Sequence, residues 1–377
     1  MKFIPVNEPL LDGNEKRYLA ECIDSGWISS EGPFVAKFES EFAAAVGRRF
    51  GVAVCNGTAA LEAAVAACGI GQGDEVIMPA FTIISCAAAV IRSGATPVLV
   101  DSDPVTWNME AGKIEEKISP RTKAIMPVHT YGLPVDMDVV EDLARRYDLR
   151  IIEDAAEAHG LAYRGRPCGS FGDVSCFSFY PNKLVTTGEG GMIVTDDAGL
   201  AERCRSLRNL CFQPGRRFVH EELGFNFRMT NLQAALGLAQ LERLDAFARR
   251  KRRMGRRYRE LLDGLPGIVL PAESSPSSEN IYWVFGLVLD EGHPLAAQEA
   301  MRRLNELGIG TRPFFWPMHE QPVLRELGLF AGESYPVAER LARRGFYLPS
   351  GLGLTDEEQE RVARACRRVL GEQGAAA

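Results

Sequence analysis

Short strand-like runs alternate with helical patterns through the first half of the chain, and that alternation leaves few folds open. The runs are Gly51–Cys55, Glu75–Met78, Pro97–Val100, Ala124–Val128, Arg150–Glu153, Val174–Phe179 and Met192–Thr195. Helical patterns separate them, most clearly at Ala59–Ala67, Ile83–Ile91 and Met137–Arg146. Strands joined through helices build a parallel sheet covered on both faces. The expected class is therefore α/β with a mostly parallel central sheet. From Leu232 a long helical connector is expected. It leads to a strand at Ile281–Leu289 and helices near Pro294–Leu307, Tyr335–Arg344 and Thr355–Leu370. This divides the chain into a large unit, 1–245, and a smaller α/β unit, 246–377. The alanine-rich tail after Gly374 is expected to be disordered.

Composition excludes several functions. A chain of 377 residues, 46% of them hydrophobic, can bury a large core. The net charge is −7 with dispersed acidic residues, so no nucleic-acid partner is expected. The one basic run, Arg249 to Arg257, continues the helical stretch Asn231–Asp245 and reads as a solvated helix face. Nine cysteines include no Cys-x-x-Cys pair, and Cys55, Cys68, Cys86 and Cys176 lie in apolar surroundings. Buried thiols in a reducing, cytoplasmic setting are expected. The histidines, at 129, 159, 220, 293 and 319, show no metal spacing, so no metal is expected. No signal peptide is expected ahead of Val6. No apolar run approaches the ~18 residues of a membrane span.

Three local patterns carry chemistry. Phe177-Ser178-Phe179-Tyr180-Pro181-Asn182-Lys183 holds a lysine between an apolar run and the turn Gly188-Glu189-Gly190-Gly191. Desolvation there lowers the ammonium pKa and frees the amine to attack a carbonyl; a solvated loop lysine is the plainer alternative. Asp154 falls at the carboxyl end of the strand through Ile151-Ile152-Glu153, where ligands of open α/β sheets bind. Its alternative is to cap a helix at Ala155–Ala158. A carboxylate for a pyridinium nitrogen and a Schiff-base lysine are the minimal apparatus for pyridoxal 5′-phosphate (PLP). Finally, Asn56-Gly57-Thr58 joins a strand to a helix, aiming backbone N–H groups at an anion. An ordinary loop capped by Thr58 is again the alternative. Neither a Walker A loop nor a Gly-x-Gly-x-x-Gly fingerprint is present.

In order along the chain these motifs resemble a known family. They are Asn56 to Leu61, Glu153-Asp154-Ala155-Ala156-Glu157-Ala158-His159-Gly160, Phe177-Ser178-Phe179 leading to Lys183, Gly188 to Gly191, and Gly224-Phe225-Asn226-Phe227-Arg228-Met229-Thr230-Asn231. They recur in the DegT/DnrJ/EryC1/StrS group of sugar aminotransferases, and the match runs from about Pro5 to Gly353. The resemblance implies the aspartate-aminotransferase-like, type I PLP fold. It implies that Lys183 forms the Schiff base with PLP and then moves the proton, and that Asp154 keeps the pyridine nitrogen protonated. Gly57, Thr58 and Ser178 are implied at the phosphate, and Phe81 as the aromatic stacked on the ring. Asn226 is implied to reach the phosphate of a neighbouring subunit, making a homodimer with shared sites. Glu157 departs from the glutamine that many members carry beside the phenolic oxygen. A carboxylate there requires a proton on one of the two oxygens, and the glutamate resembles that of the perosamine-forming branch.

The resemblance also implies a reaction. A dehydratase branch carries histidine in place of the lysine, so Lys183 implies transamination. The implied donor is L-glutamate, and the implied acceptor is a nucleotide-linked 4-keto-6-deoxyhexose. Gly310 to His319 resembles the sugar-binding segment of the perosamine-forming branch. It offers Arg312, Phe314 and His319 for a sugar diphosphate, although an amphipathic interface loop has the same composition. Ser25 to Gly32, with Trp27 and Ser29, resembles a loop that closes over substrate, and a plain structural loop is equally open. His159 and His129 are expected to line the site, with a structural imidazole as the default for each. The other functions left open are an aminotransferase on a 3-keto sugar nucleotide or cyclitol ketone, a PLP-dependent sugar dehydratase, and a non-catalytic PLP-binding regulator.

Overall fold

The computed structural model describes residues 2–213 and 215–371, and the alanine-rich tail lies outside them. Seven strands form one sheet: β1 Phe50–Val54, β2 Glu75–Pro79, β3 Thr96–Val100, β4 Thr122–Ile125, β5 Arg150–Asp154, β6 Val174–Ser178 and β7 Gly191–Thr195. Their order is β1-β7-β6-β5-β4-β2-β3. Only β7 runs antiparallel, between β1 and β6; the other neighbours pair parallel. Every residue of β2, β6 and β7 is buried. Both faces are covered, so these runs carry no polar alternation. The fourth strand stops at Ile125 rather than Val128. Pro127 has no N–H for the ladder, and Val128 returns only as a single bridge to Asp154.

The helices α1 Glu15–Ser25, α2 Pro33–Ala45, α3 Gly57–Ala67, α4 Ile84–Arg92, α5 Met137–Tyr147 and α6 Ala198–Arg208 precede the connector. That connector is two helices, not one: α7 Asn231–Leu241 and α8 Leu244–Leu262. A capping box of Thr230 and Gln233 starts α7, a stabilisation of about 1 kcal/mol. The basic run on α8 is not wholly a solvated face. Phe247, Lys251, Met254, Tyr258 and Leu262 are all buried, at the spacing of one helical stripe. Lys251 sits on that stripe, and its Nζ donates to the carbonyls of Trp283 (2.8 Å) and Ser350 (2.5 Å). Burial lowers its ammonium pKa to about 7. Elsewhere on α8, Arg256 pairs with Glu279 at 3.0 Å and Arg257 with Glu360 at 2.6 Å.

A second sheet holds β8 Ile268–Val269, β9 Phe285–Leu289, β10 Arg312–Pro313 and β11 Gly345–Leu348, in the order β8-β9-β11-β10, all antiparallel. Tyr258, Phe285, Leu287, Phe346 and Leu348 form its core, joined by Ile4 from the other end of the chain. The strand foreseen from Ile281 begins only at Phe285. Tyr282 lies at φ 51°, which breaks the extended run. Among the described residues, no helix is long and apolar enough to cross a membrane.

Candidate active site

The ends of β5 and β6, the start of α3 and parts of the second unit enclose a cavity of about 690 Å³. Gly57, Thr58, Asp154, Glu157, Ser178, Lys183 and Arg312 all line it.

One end suits an anion. Asn56, not Thr58, caps α3, its Oδ1 accepting from the Ala59 amide at 2.8 Å. Thr58 is left to share a hydrogen bond with Ser85 at 2.9 Å. Gly57 is required by close approach, because a Cβ there would lie 2.7 Å from the Ser178 Cβ. Hydroxyls and a helix N-terminus thus face one concavity.

Asp154 ends β5 and is 2% exposed. A turn follows it, so it caps no helix. Its Oδ1 accepts from the Ala156 amide at 3.0 Å, and the Cys86 thiol donates to Oδ2 at 3.1 Å. Burial pushes this carboxyl above its ordinary range, against the Ala156 and Cys86 hydrogen bonds. A carboxylate so enclosed is stable as an anion only beside a cation.

Lys183 follows β6 with its side chain 10% exposed, its Nζ 3.6 Å from Glu157 Oε1. The indole face of Trp283 lies on its other side, 3.9 Å from Nζ to the ring centre. Burial lowers the ammonium pKa, and Glu157 and Asp154 oppose that shift. The second oxygen of Glu157 accepts from the Tyr131 amide at 2.9 Å. Burial pushes the Glu157 carboxyl up to about 7. The amine's pKa is thus lowered and the acid's raised, each toward the other, across one short contact.

An enclosed amine, an acid partner, a buried carboxylate and an anion cradle thus share one cavity, and the comparisons with known proteins identify the family. Residues 9–367 fit the DegT/DnrJ/EryC1/StrS aminotransferase family. The chain belongs to this family. This aminotransferase is 46% identical to the GDP-perosamine synthase of Caulobacter vibrioides, over 97% of its own length and 98% of the relative's. It is 43% identical to the GDP-perosamine synthase of Escherichia coli O157:H7, over 95% and 96%. Among solved structures it is similar to S. venezuelae DesV in complex with a ketimine intermediate, with a TM-score of 0.87 and 38% identity over 96% of this chain and 95% of that one. The family and its structural neighbours are PLP-dependent aminotransferases of the type I fold, the architecture described above.

Several residues expected at the site of this aminotransferase stand elsewhere. Phe81 is fully buried in an aromatic cluster with Tyr131, Phe314 and Phe315. Ile83, two residues on, is 41% exposed and lines the cavity instead. Phe314 packs inward on Trp107 and Tyr131, leaving Phe315 on the cavity side. His159 is walled in by Phe42, Phe177 and Phe179, and burial pushes its imidazole down to about 3, so it is a neutral core residue. His129 is fully buried too: its Nε2 donates to Glu153 at 2.8 Å and its Nδ1 accepts from the Val135 amide. His319 is held by Glu339 at 3.0 Å and lies against Tyr335, outside the cavity lining. Trp27, Ser29 and Asn226 are exposed and do not line the cavity of their own chain.

All nine cysteines are free, and only Cys55 and Cys68 are half-buried rather than buried. Among the described residues, two groups, His129 with Glu153 and Cys168, and His319 with Glu320 and Glu339, gather ligand-type atoms within 4.8 Å. Both are engaged in hydrogen bonds: Glu153 accepts from the amides of Gly169 and Phe171 and from Ser175, and Arg343 pairs with Glu320 at 2.6 Å. Sequence reasoning did not foresee Trp283 and Tyr347, which with Phe315 of the Gly310 to His319 segment close the cavity from the chain beyond α8. Nothing local distinguishes them from core aromatics.

The raised Glu157 pKa has a measurable consequence. The group holds its proton in the fold above its ordinary value of 4.5, so its stabilising contribution is full below about pH 4.5 and lost as pH rises through about 7. Melts of cofactor-free protein across that window should show Glu157→Gln losing less stability with rising pH than the wild type. Parallel curves would mean that Glu157 titrates as an exposed carboxylate does.

Proposed function

We propose that this aminotransferase binds PLP through Lys183 and transfers an amino group from L-glutamate to a nucleotide-linked 4-keto-6-deoxyhexose, with GDP-4-keto-6-deoxymannose as the preferred acceptor. The observation that carries the reading is the convergence of Lys183, Asp154 and the Gly57 cradle on one cavity. The residues fit the cofactor chemically: an anion cradle that a Cβ at 57 would fill, an enclosed carboxylate in want of a cation, and an enclosed amine. Gly57, Thr58 and Ser178 would hold the phosphate, Asp154 the pyridine nitrogen, Glu157 the phenolic oxygen and Lys183 the aldehyde carbon. Bound there, PLP supplies an electron sink for charge developing on the substrate carbon.

The chain's own groups do the rest. Lys183 Nζ carries the proton between the reacting carbons, and Glu157 keeps that amine charged or neutral by sharing a proton with it. Asp154 fixes positive charge at the far end of the site. Trp283, Phe315 and Tyr347 keep water from one wall, and the Arg312 guanidinium offers a fork for a carboxylate or phosphate. Phe218 and Leu223, a few residues before Asn226 in the chain, are 82% and 95% exposed, which favours a homodimer whose partner receives Asn226. The free, mostly buried thiols suit a reducing, cytoplasmic setting. The two GDP-perosamine synthases named above support the choice of acceptor.

Absorption spectra of the PLP-loaded enzyme test the reading. L-Glutamate should discharge the visible band, and GDP-4-keto-6-deoxymannose should restore it. A band indifferent to L-glutamate would remove that donor. Restoration only by a 3-keto sugar nucleotide or a cyclitol ketone would replace the acceptor.

A further inference from the structure

The second unit reaches Lys183 through one side chain. Trp283 is 4% exposed and turns its indole face to Nζ at 3.9 Å. Its Nε1 donates to the carbonyl of Asn182, the residue before Lys183, at 2.8 Å. Its own carbonyl accepts from buried Lys251 at 2.8 Å. Tyr131, whose amide holds Glu157, stacks on the same indole with centroids 5.9 Å apart and planes at 28°. One residue therefore touches the amine, the peptide that carries it, and the residue that fixes its acid partner.

The backbone is shaped to deliver this contact. Tyr282 occupies the left-handed region, which bulky residues seldom adopt and which persists only where packing enforces it. Its amide donates to Asn280 Oδ1 at 2.6 Å. Its ring presses on Gly255, where a Cβ would lie 2.2 Å from it. The twist sends Tyr282 into the second core and Trp283 into the first.

Resting on the reading of Lys183 as the cofactor-bearing residue, we propose that Trp283 is a positioning residue: with Glu157, its indole face holds the Lys183 amine whenever that amine is not bonded to the cofactor. A transaminating lysine must let go of the cofactor in each half-reaction and stay within reach as a proton carrier. Its four-carbon stem would otherwise sample many rotamers. An aromatic face attracts the ammonium electrostatically yet accepts no conventional hydrogen bond from it. The N–H groups stay available to Glu157 and to the reacting carbons, so Lys183 is held without being consumed.

The test is made without cofactor, so it does not depend on whether PLP binds. In protein labelled with carbon-13 at lysine Cε, the Lys183 resonance is assigned with Lys183→Arg and titrated by NMR. The ionisable groups around Lys183 are Glu157, Asp154, Cys86 and His159, with Glu62, Arg92, Cys176, Tyr180, Glu189, Arg312 and Tyr347 on the cavity wall. None of these changes in the variants. Trp283→Leu should lower the Lys183 midpoint by about one pH unit. Fluorinated tryptophans, which keep the shape and the N–H but weaken the ring's negative face, should lower it stepwise. They also serve where Trp283→Leu does not fold, since among the described residues no other tryptophan lies over Lys183. A midpoint unmoved by fluorination overturns the proposal. Failure of the wild type to show a PLP band would instead overturn the reading of Lys183.

Discussion

Replacing Lys183 with alanine is expected to abolish amine transfer and the PLP absorption band while leaving the fold intact. In the role proposed for Lys183, covalent attachment and the proton carrier are lost together, a drop of roughly 10⁴-fold or more. Stability responds differently. The ammonium is enclosed, and its pKa is lowered by burial, so removing it relieves a desolvation cost. Glu157 is not stranded as a buried anion, because burial already raises its carboxyl to about 7 and it can keep its proton. Melts of the cofactor-free protein should therefore move by no more than about 1–2 °C, the scale of 1 kcal/mol in a chain of this size. A variant that keeps the band, or activity within tenfold, would show that another amine carries the cofactor.

The second large effect belongs to Asp154→Asn. The amide preserves shape but not charge, and loss of the anion proposed for the pyridine nitrogen should lower kcat roughly 10³-fold at saturating PLP. Only one of the donors, the Ala156 amide or the Cys86 thiol, keeps an acceptor; the other is lost at about 1 kcal/mol. Against this stands the cost of burying the charge, which is larger and which the Lys183 ammonium offsets only in part. The Asp154 carboxyl is raised above its ordinary 3.8 in the fold, so the wild type is favoured most below about pH 3.8 and loses stability as pH rises through the raised value. Thermal melts of cofactor-free protein should show the asparagine variant gaining on the wild type across that rise. Wild-type activity in the variant would separate Asp154 from the pyridine nitrogen.

The residues that were legible lie in local patterns. Lys183 sits beyond a buried strand, Asp154 at a strand end and Gly57 in a strand-to-helix turn, and each is recognisable within about ten residues of chain. The seven strands were legible for the same reason, since parallel strands covered on both faces are unbroken apolar runs. Their ends were less so. Pro127 cuts β4 short by removing a donor, and the left-handed Tyr282 delays β9 until Phe285. Facing was lost as well: Phe81 and Ile83 are both apolar, and only the turn after Pro79 decides that Ile83 meets the cavity. Lys251 read as one cation in a basic run, yet the helical stripe buries it between two carbonyls.

The sequence by itself determined the order of elements, the mostly parallel sheet and the local settings of Lys183, Asp154 and Gly57, which converge on one cavity, because those depend on neighbours in the chain. Only the tertiary structure decided that Trp283 rests on Lys183 from a hundred residues away, that burial raises the Glu157 carboxyl against the Tyr131 amide, and that the histidines at 129, 159 and 319 are withdrawn from the cavity. Proximity and desolvation are set by which remote segments displace water from a group, and no local pattern records that.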